Sequence, residues 1–308
     1  MERTNAEQLA AIKGYLRSTS NHAGKTVEQI RREMTEAAAK LPALPPDMTV
    51  KQTAIGALRG EWISIEERRP EDGRKAVLYF HGGGFVSGTC AFYRELAGRI
   101  AKASGVEVLT FEYRLAPEHP YPAANADCLN AYRWLLANGY AARNLVLGGD
   151  SVGGSLAFMT LLSLRDAGEE LPAGAFLLSP HADLAHLDGE SYRSRAALDP
   201  TGSLEGNQAI LAAYLGDWQG EPPAILSPLK MDLSGLPALL IQAGDQEVLL
   251  SDATRLAAKA EAAGVEVTLE VWEHMWSVFQ LLAYMLPEAQ QAIANIGHFV
   301  RASLQAGN

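Results

Sequence analysis

From Lys75 onward the chain alternates short apolar runs with longer amphipathic ones. Val77–Phe80, Val106–Tyr113, Leu145–Leu147 and Ala175–Leu178 are rich in β-branched, aromatic and leucine residues and are short enough for strands; 92–103, 122–137 and 152–166 carry apolar residues at helical spacing. Near-continuous apolar strands alternating with helices are the pattern of a parallel sheet covered on both faces, an α/β architecture. The rhythm breaks at 186–222, a polar stretch with helical pieces at 190–197 and 205–215. It resumes with Ala238–Gln242, a helix over 252–263 with Ser251 as N-cap and Gly264 as stop, a strand Glu266–Trp272 and a last helix over 288–304. Ahead of the sheet, 5–17 and 26–39 read as amphipathic helices through Leu9, Ile12, Leu16 and Val27, Ile30, Met34, Ala37. The prolines of Leu41–Pro46 end them, and Val50–Ile65 reads as two strands turning near Gly56–Gly60. The N-terminal helices and the 186–222 insertion therefore stand apart from the sheet.

Composition narrows the partners. Twenty-six basic against 36 acidic residues give a net charge of −10 with no basic run, which disfavours nucleic acid and anionic membrane and suits a small neutral or apolar ligand. The start Met1-Glu2-Arg3-Thr4-Asn5 is polar, and no stretch approaches the roughly 20 apolar residues of a membrane span, so a soluble, cytoplasmic protein is expected. Cys90 and Cys128 lack metal-type spacing and read as free thiols; no metal site is indicated.

Two glycine-rich stretches carry the chemistry. Gly149-Asp150-Ser151-Val152-Gly153 lies between the apolar strand Leu145–Leu147 and a helix, the setting of a sharp turn that lifts a serine hydroxyl above a sheet; Ser151 is the candidate nucleophile. His81-Gly82-Gly83-Gly84-Phe85 directly follows the strand Val77–Phe80, and consecutive glycines leave bare amides able to meet a developing oxyanion. The expected donors are Gly82, Gly83 and the amide of Val152. A phosphate loop would need Gly-Lys-Ser or Gly-Lys-Thr after the glycines, and neither is there.

Together with Tyr113-Arg114-Leu115-Ala116-Pro117-Glu118-His119-Pro120-Tyr121-Pro122-Ala123-Ala124, these stretches resemble the hormone-sensitive-lipase branch of the α/β-hydrolases, the bacterial family IV esterases. The similarity runs from about Leu44 to Leu304. It implies a mostly parallel eight-stranded sheet flanked by helices, with 45–185 and 223–308 as the catalytic domain and 1–44 and 186–222 as a helical cap. It also implies hydrolysis of a small-molecule short-acyl carboxylic ester without a cofactor, and a homodimer through the C-terminal strand and helix. Arg114, Glu118 and His119 are expected to be structural, in a polar network beside the turn.

A serine hydroxyl needs a base to take its proton and an acid to orient that base, and in α/β-hydrolases these follow in the order serine, acid, histidine. After the strand Ala238–Gln242, Gly244-Asp245-Gln246-Glu247 offers two carboxylates. Anchoring on Ala262-Ala263-Gly264-Val265 puts Glu247 at the family's acid position, with Asp245 as the alternative. Of seven histidines, His22, His81, His119, His181, His186 and His298 fall in the wrong place; only His274 has the right order and location. Yet the family's histidine follows a methionine by two residues, and Met275-Trp276-Ser277 puts Ser277 there. Either a rearranged loop brings His274 to Ser151, or the base is missing and the chain is a substituted or repurposed member. Val152, where the family mostly has alanine, and Trp276 are further departures that would crowd the pocket.

Overall fold

The computed structural model describes residues 3–19, 24–65 and 74–306; His22 lies outside them. Eight strands form one sheet: β1 (Met48–Ile55), β2 (Leu58–Ile65), β3 (Ala76–Phe80), β4 (Glu107–Phe111), β5 (Leu145–Asp150), β6 (Gly174–Leu178), β7 (Ala238–Gly244) and β8 (Val267–Trp272). Their order is β1-β2-β4-β3-β5-β6-β7-β8. β1 and β2 form an antiparallel hairpin, and β2 joins β4 antiparallel. Every other pairing is parallel.

The central strands show why their sequences are apolar at every position. Ala76, Leu78 and Phe80 point into one core, while Val77 and Tyr79 point into the other; Leu145 and Leu147 against Val146, and Ala175 and Leu177 against Phe176 and Leu178, repeat the alternation. The first core is closed by α4 (Ala123–Ala137), α5 (Val152–Asp166) and α8 (Leu250–Ala262), the second by α3 (Cys90–Ser104) and α9 (Pro287–Ala306). The strand expected over Val106–Tyr113 is shorter, and Ser251 is not the cap of α8. That helix starts at Leu250, two residues earlier than expected, and Ser251, inside its first turn, is used in a tertiary pair: its hydroxyl accepts from the Ser191 amide at 2.9 Å and its amide donates to Ser191 Oγ at 2.9 Å.

The segments outside the rhythm form α1 (Ala6–Thr19), α2 (Val27–Ala38), the single turn α6 (Ser191–Ser194) and α7 (Leu204–Leu215). The α2 helix opens with a capping box, Thr26 with Gln29. The segments touch each other, since Arg17 Nη2 donates to the carbonyls of Ala197 and Leu198, each at 3.2 Å. They also reach the loops at the carboxyl ends of β3, β7 and β8. Arg31 of α2 donates to the Val86 carbonyl at 2.7 Å; Lys13 of α1 donates to Gln246 Oε1 at 2.5 Å and lies 5.6 Å from the Trp276 ring centroid. Tyr214 of α7 stacks on Phe85 at 3.7 Å. In open α/β sheets ligands bind outside the carboxyl ends of the strands, which is the edge these helices cover.

Among the core contacts, the fully buried Phe176 ring lies where a side chain on Gly148 would be, its Cζ 2.1 Å from that Cβ position, and 6.1 Å from the Tyr79 ring. Truncating it leaves a void that two rigid strands cannot fill. Phe176→Ala is therefore expected to lower unfolding free energy by about 3–5 kcal/mol in a urea titration, and a loss under about 1 kcal/mol would show that the sheet relaxes into the space.

Candidate active site

Ser151 sits between β5 and α5 with φ 52° and ψ −126°, a conformation that L-residues avoid and that persists only where the surroundings enforce it. They do so on both sides. The Ser151 amide donates to the Leu178 carbonyl of β6 at 2.8 Å, and the Ser151 carbonyl accepts from the Ser155 amide at 3.1 Å. A side chain on Gly149 would lie 2.4 Å from the Gly153 carbonyl oxygen, so both glycines of the motif are needed for the strand to meet the helix. Ser151 itself is partly exposed, whereas the residues flanking it are buried.

The glycine loop meets this turn through Asp150, a residue to which the sequence reading gave no role. Its buried carboxylate takes three donors: Tyr79 Oη at 2.8 Å and the Gly82 amide at 2.9 Å on Oδ1, and Tyr93 Oη at 3.0 Å on Oδ2. Burial pushes the carboxyl up to about 6 although all three donors favour its ionised form. This corrects the expected donor set, because the Gly82 amide is spent on Asp150. Among the described residues, the amides of Gly83, Gly84 and Val152 donate to no protein acceptor. The run of three glycines could not reveal which two stay bare; the charged residue inside an otherwise apolar strand end was the overlooked signal. His81 is packed rather than reactive: buried, neutral with its ring pushed down to about 4 by desolvation, 4.1 Å from the Tyr113 ring and bonded through Nδ1 to the Gly82 carbonyl.

Arg114, Glu118 and His119 do not share a network. Arg114 pairs with Asp127, Glu118 pairs with Arg31 of α2, and His119 is exposed.

On the other side of Ser151, the Glu247 side chain is buried. Its Oε2 accepts from the Gly244 amide at 2.7 Å and from Ser179 Oγ at 2.9 Å, while Oε1 has no partner. Desolvation pushes the carboxyl up to about 8; the Gly244 amide opposes that, and the charge of Asp199 reinforces it. Asp245 is partly exposed, its carbonyl accepting from Arg195 Nε at 2.8 Å, and its charge acts on Lys13 of α1. Ser179, a second residue unforeseen from sequence, also accepts from the Val278 amide at 3.0 Å. One hydroxyl thus ties Glu247 to the loop after β8 and brings the Cα of Ser277 within about 9 Å of Glu247 Oε2 by covalent geometry alone. Ser277 is half-buried. His274 is elsewhere: its side chain is 53% exposed, its Nε2 is 3.7 Å from Glu273 Oε1 and its Nδ1 is 3.4 Å from Gln246 Nε2. His181 is buried with Nδ1 unpartnered, and His186 pairs with Asp183. Among the described residues no histidine ring bonds to Ser151 or Glu247.

These carboxyls set a pH dependence. Asp252, buried beneath the Ala182 amide that donates to it at 2.9 Å, is also raised by desolvation, to about 7. Ordinary carboxyls titrate near 4, so between that value and about 6, 7 and 8 the folded state holds protons that the unfolded chain has released, and stability falls as pH rises. The urea midpoint should decrease from pH 5 to pH 8, and Glu247→Gln should flatten the fall above pH 7. A midpoint that climbs over that range would contradict the assignment.

Comparison with known proteins bears out the fold. A family described as alpha/beta hydrolase fold matches residues 77–281. An acetyl-hydrolase of Streptomyces hygroscopicus is 39% identical over 274 residues, 88% of each chain, and an esterase of Acinetobacter venetianus is 36% identical over 82% of each. The crystal structure of an esterase from the bacterial hormone-sensitive lipase family superposes with a TM-score of 0.91 at 40% identity, covering 98% of this chain and 99% of that one. No helix among the described residues is long and apolar enough to cross a membrane. With the strained serine turn, the bare glycine amides and this similarity along nearly its full length, the chain belongs to the α/β-hydrolase fold family, on its bacterial hormone-sensitive-lipase-like branch.

Proposed function

We propose that the chain is a serine carboxylesterase for short-acyl esters, working through an acyl-enzyme on Ser151, in which Ser277 stands where relatives carry the catalytic histidine. The observation that carries this reading is the bond from the Gly82 amide to Asp150, which ties the loop bearing the bare amides of Gly83 and Gly84 to the strained, partly exposed Ser151, whose other neighbour Val152 has a bare amide too. Relatives named acetyl-hydrolase and esterase support the substrate class. Ser151 Oγ attacks the ester carbonyl carbon as its proton passes to water, and the carbonyl electrons move to oxygen as an oxyanion held by the three amides. Collapse expels the leaving oxygen, which takes a proton to become the alcohol, and a water then cleaves the acyl bond and restores the Ser151 hydroxyl. Glu247, with one oxygen fixed by two donors and the other unpartnered, is the acid that would orient a base; Asp245, whose Oδ1 is also unpartnered but whose carboxyl no donor among the described residues fixes, is the lesser candidate. Helices α1, α2, α6 and α7 form the cap, and Ile210 and Tyr214 supply apolar surface beside Gly84 and Phe85.

The step this site lacks is proton removal. In subtilisin, losing the histidine costs roughly 10⁶ in turnover, while the oxyanion hole and binding keep about 10³–10⁴ over water. A second reading, a ligand-binding variant without acyl turnover, is favoured by the exposed position of His274. Acylation separates the two. Mass added to Ser151 by a fluorophosphonate supports the esterase, and an inert serine supports the binder.

With p-nitrophenyl acetate, the unmodified chain is expected to hydrolyse weakly, Ser277→His to gain about 10³-fold or more, and His274→Ala to change little. A brisk parent that His274→Ala abolishes would transfer the base to His274. In the Ser277→His background, Glu247→Gln should cost far more than Asp245→Asn, because a neutral amide cannot stabilise the imidazolium that forms; the reverse order would make Asp245 the acid.

A further inference from the structure

We infer that free imidazole, and small azoles with both an N–H donor and a bare ring nitrogen, bind between Glu247 and Ser151 and act there as an exchangeable base. The inference rests on the reading of Ser277 given above and deepens it by naming a second small-molecule ligand of the same site.

Three observations carry it. Glu247 Oε1 is buried without a partner, and once the carboxyl is ionised, above about pH 8, a buried acceptor left unsatisfied costs about 1–3 kcal/mol, so in that form the site favours a ligand that brings an N–H. Its other oxygen is fully engaged by Gly244 and Ser179, so the carboxyl cannot turn away to satisfy itself elsewhere without losing those bonds. Finally, the loop bearing Ser277 is held by its main chain rather than by the side chain at 277. The Val278 amide donates to Ser179 Oγ at 3.0 Å, the Gln246 amide donates to the Met275 carbonyl at 3.0 Å, and Met275 and Trp276, which precede Ser277, are buried. Serine differs from histidine there by one ring, and the backbone that would present the ring is fixed without it.

Imidazole meets both requirements at once. Its N–H donates to Glu247 Oε1, and its bare nitrogen accepts the Ser151 hydroxyl proton as Oγ bonds to the acyl carbon. The imidazolium returns that proton to the departing alcohol oxygen. For deacylation a water gives its proton to the same nitrogen while its oxygen attacks the acyl carbon, and the proton then passes to Ser151 Oγ as the acyl bond breaks. No oxidant or metal enters the balance.

The test follows p-nitrophenyl acetate hydrolysis by the full chain against rising imidazole at constant pH and ionic strength. Ser151→Ala is run alongside, since imidazole attacks aryl esters unaided. The expected result is a Ser151-dependent rate that rises on the order of 10²-fold and saturates, as for a positioned general base. Glu247→Gln should lose the saturation, 1-methylimidazole, which lacks the N–H, should give a much smaller rise, and Ser277→His should be fast without imidazole and insensitive to it. A linear dependence equal in the parent and Ser151→Ala overturns the inference. If Ser277→His is active while imidazole does nothing for the parent, the inference falls and the reading of Ser277 stands. If Ser277→His is no faster than the parent, the reading fails and the inference with it.

Discussion

The carboxylate of Asp150 joins the glycine loop after β3 to the strained turn at Ser151. It belongs to the last residue of β5, so its position is fixed by the sheet, and it reaches the first glycine of the loop after β3 and two tyrosines from β3 and α3. Burying a carboxylate is costly unless its oxygens are hydrogen-bonded. Here three donors answer two oxygens, and they offset part of the desolvation that lifts the group to about 6. With the Gly82 amide so committed, the amides of the next two glycines are left without a protein acceptor among the described residues, on a loop tied to the residue that precedes the serine. The arrangement is local in sequence at one end and about 70 residues distant at the other, which is why neither motif alone announces it.

Much of the architecture was legible because it follows from periodicity. Strands buried on both faces are apolar at every position, and that is what Val77–Phe80 and Ala175–Leu178 display. The turn at Ser151 was legible because Gly149 and Gly153 leave a strand and a helix space to touch. What escaped depended on partners distant in the chain. Ser251 looks like a helix cap until Ser191 claims it. Gly82 looks equivalent to Gly83 until Asp150 takes its amide. Ser179 follows a strand with nothing in its neighbours to mark it, and its importance lies in Glu247 and Val278, 68 and 99 residues away.

Helices α1 and α7 illustrate a different limit. Their amphipathic spacing marks one buried stripe but not what covers it. For α1 the cover includes Trp276 and Gln246, on loops that follow the last two strands; for α7 it is the aromatic ring next to the glycine run. Both contacts are aromatic or charge-assisted at the edge of the sheet, where a hydrophobic pattern carries least information.

The hydroxyl of Ser179 has one more consequence. It fixes the loop after β8 through the amide of Val278, so the neighbouring side chain at 277 contributes little to holding the fold together. Selection for a protein that merely folds and persists is therefore blind to what stands at that position. A replacement there can come and go in a lineage with the scaffold preserved through the interval as though nothing had changed.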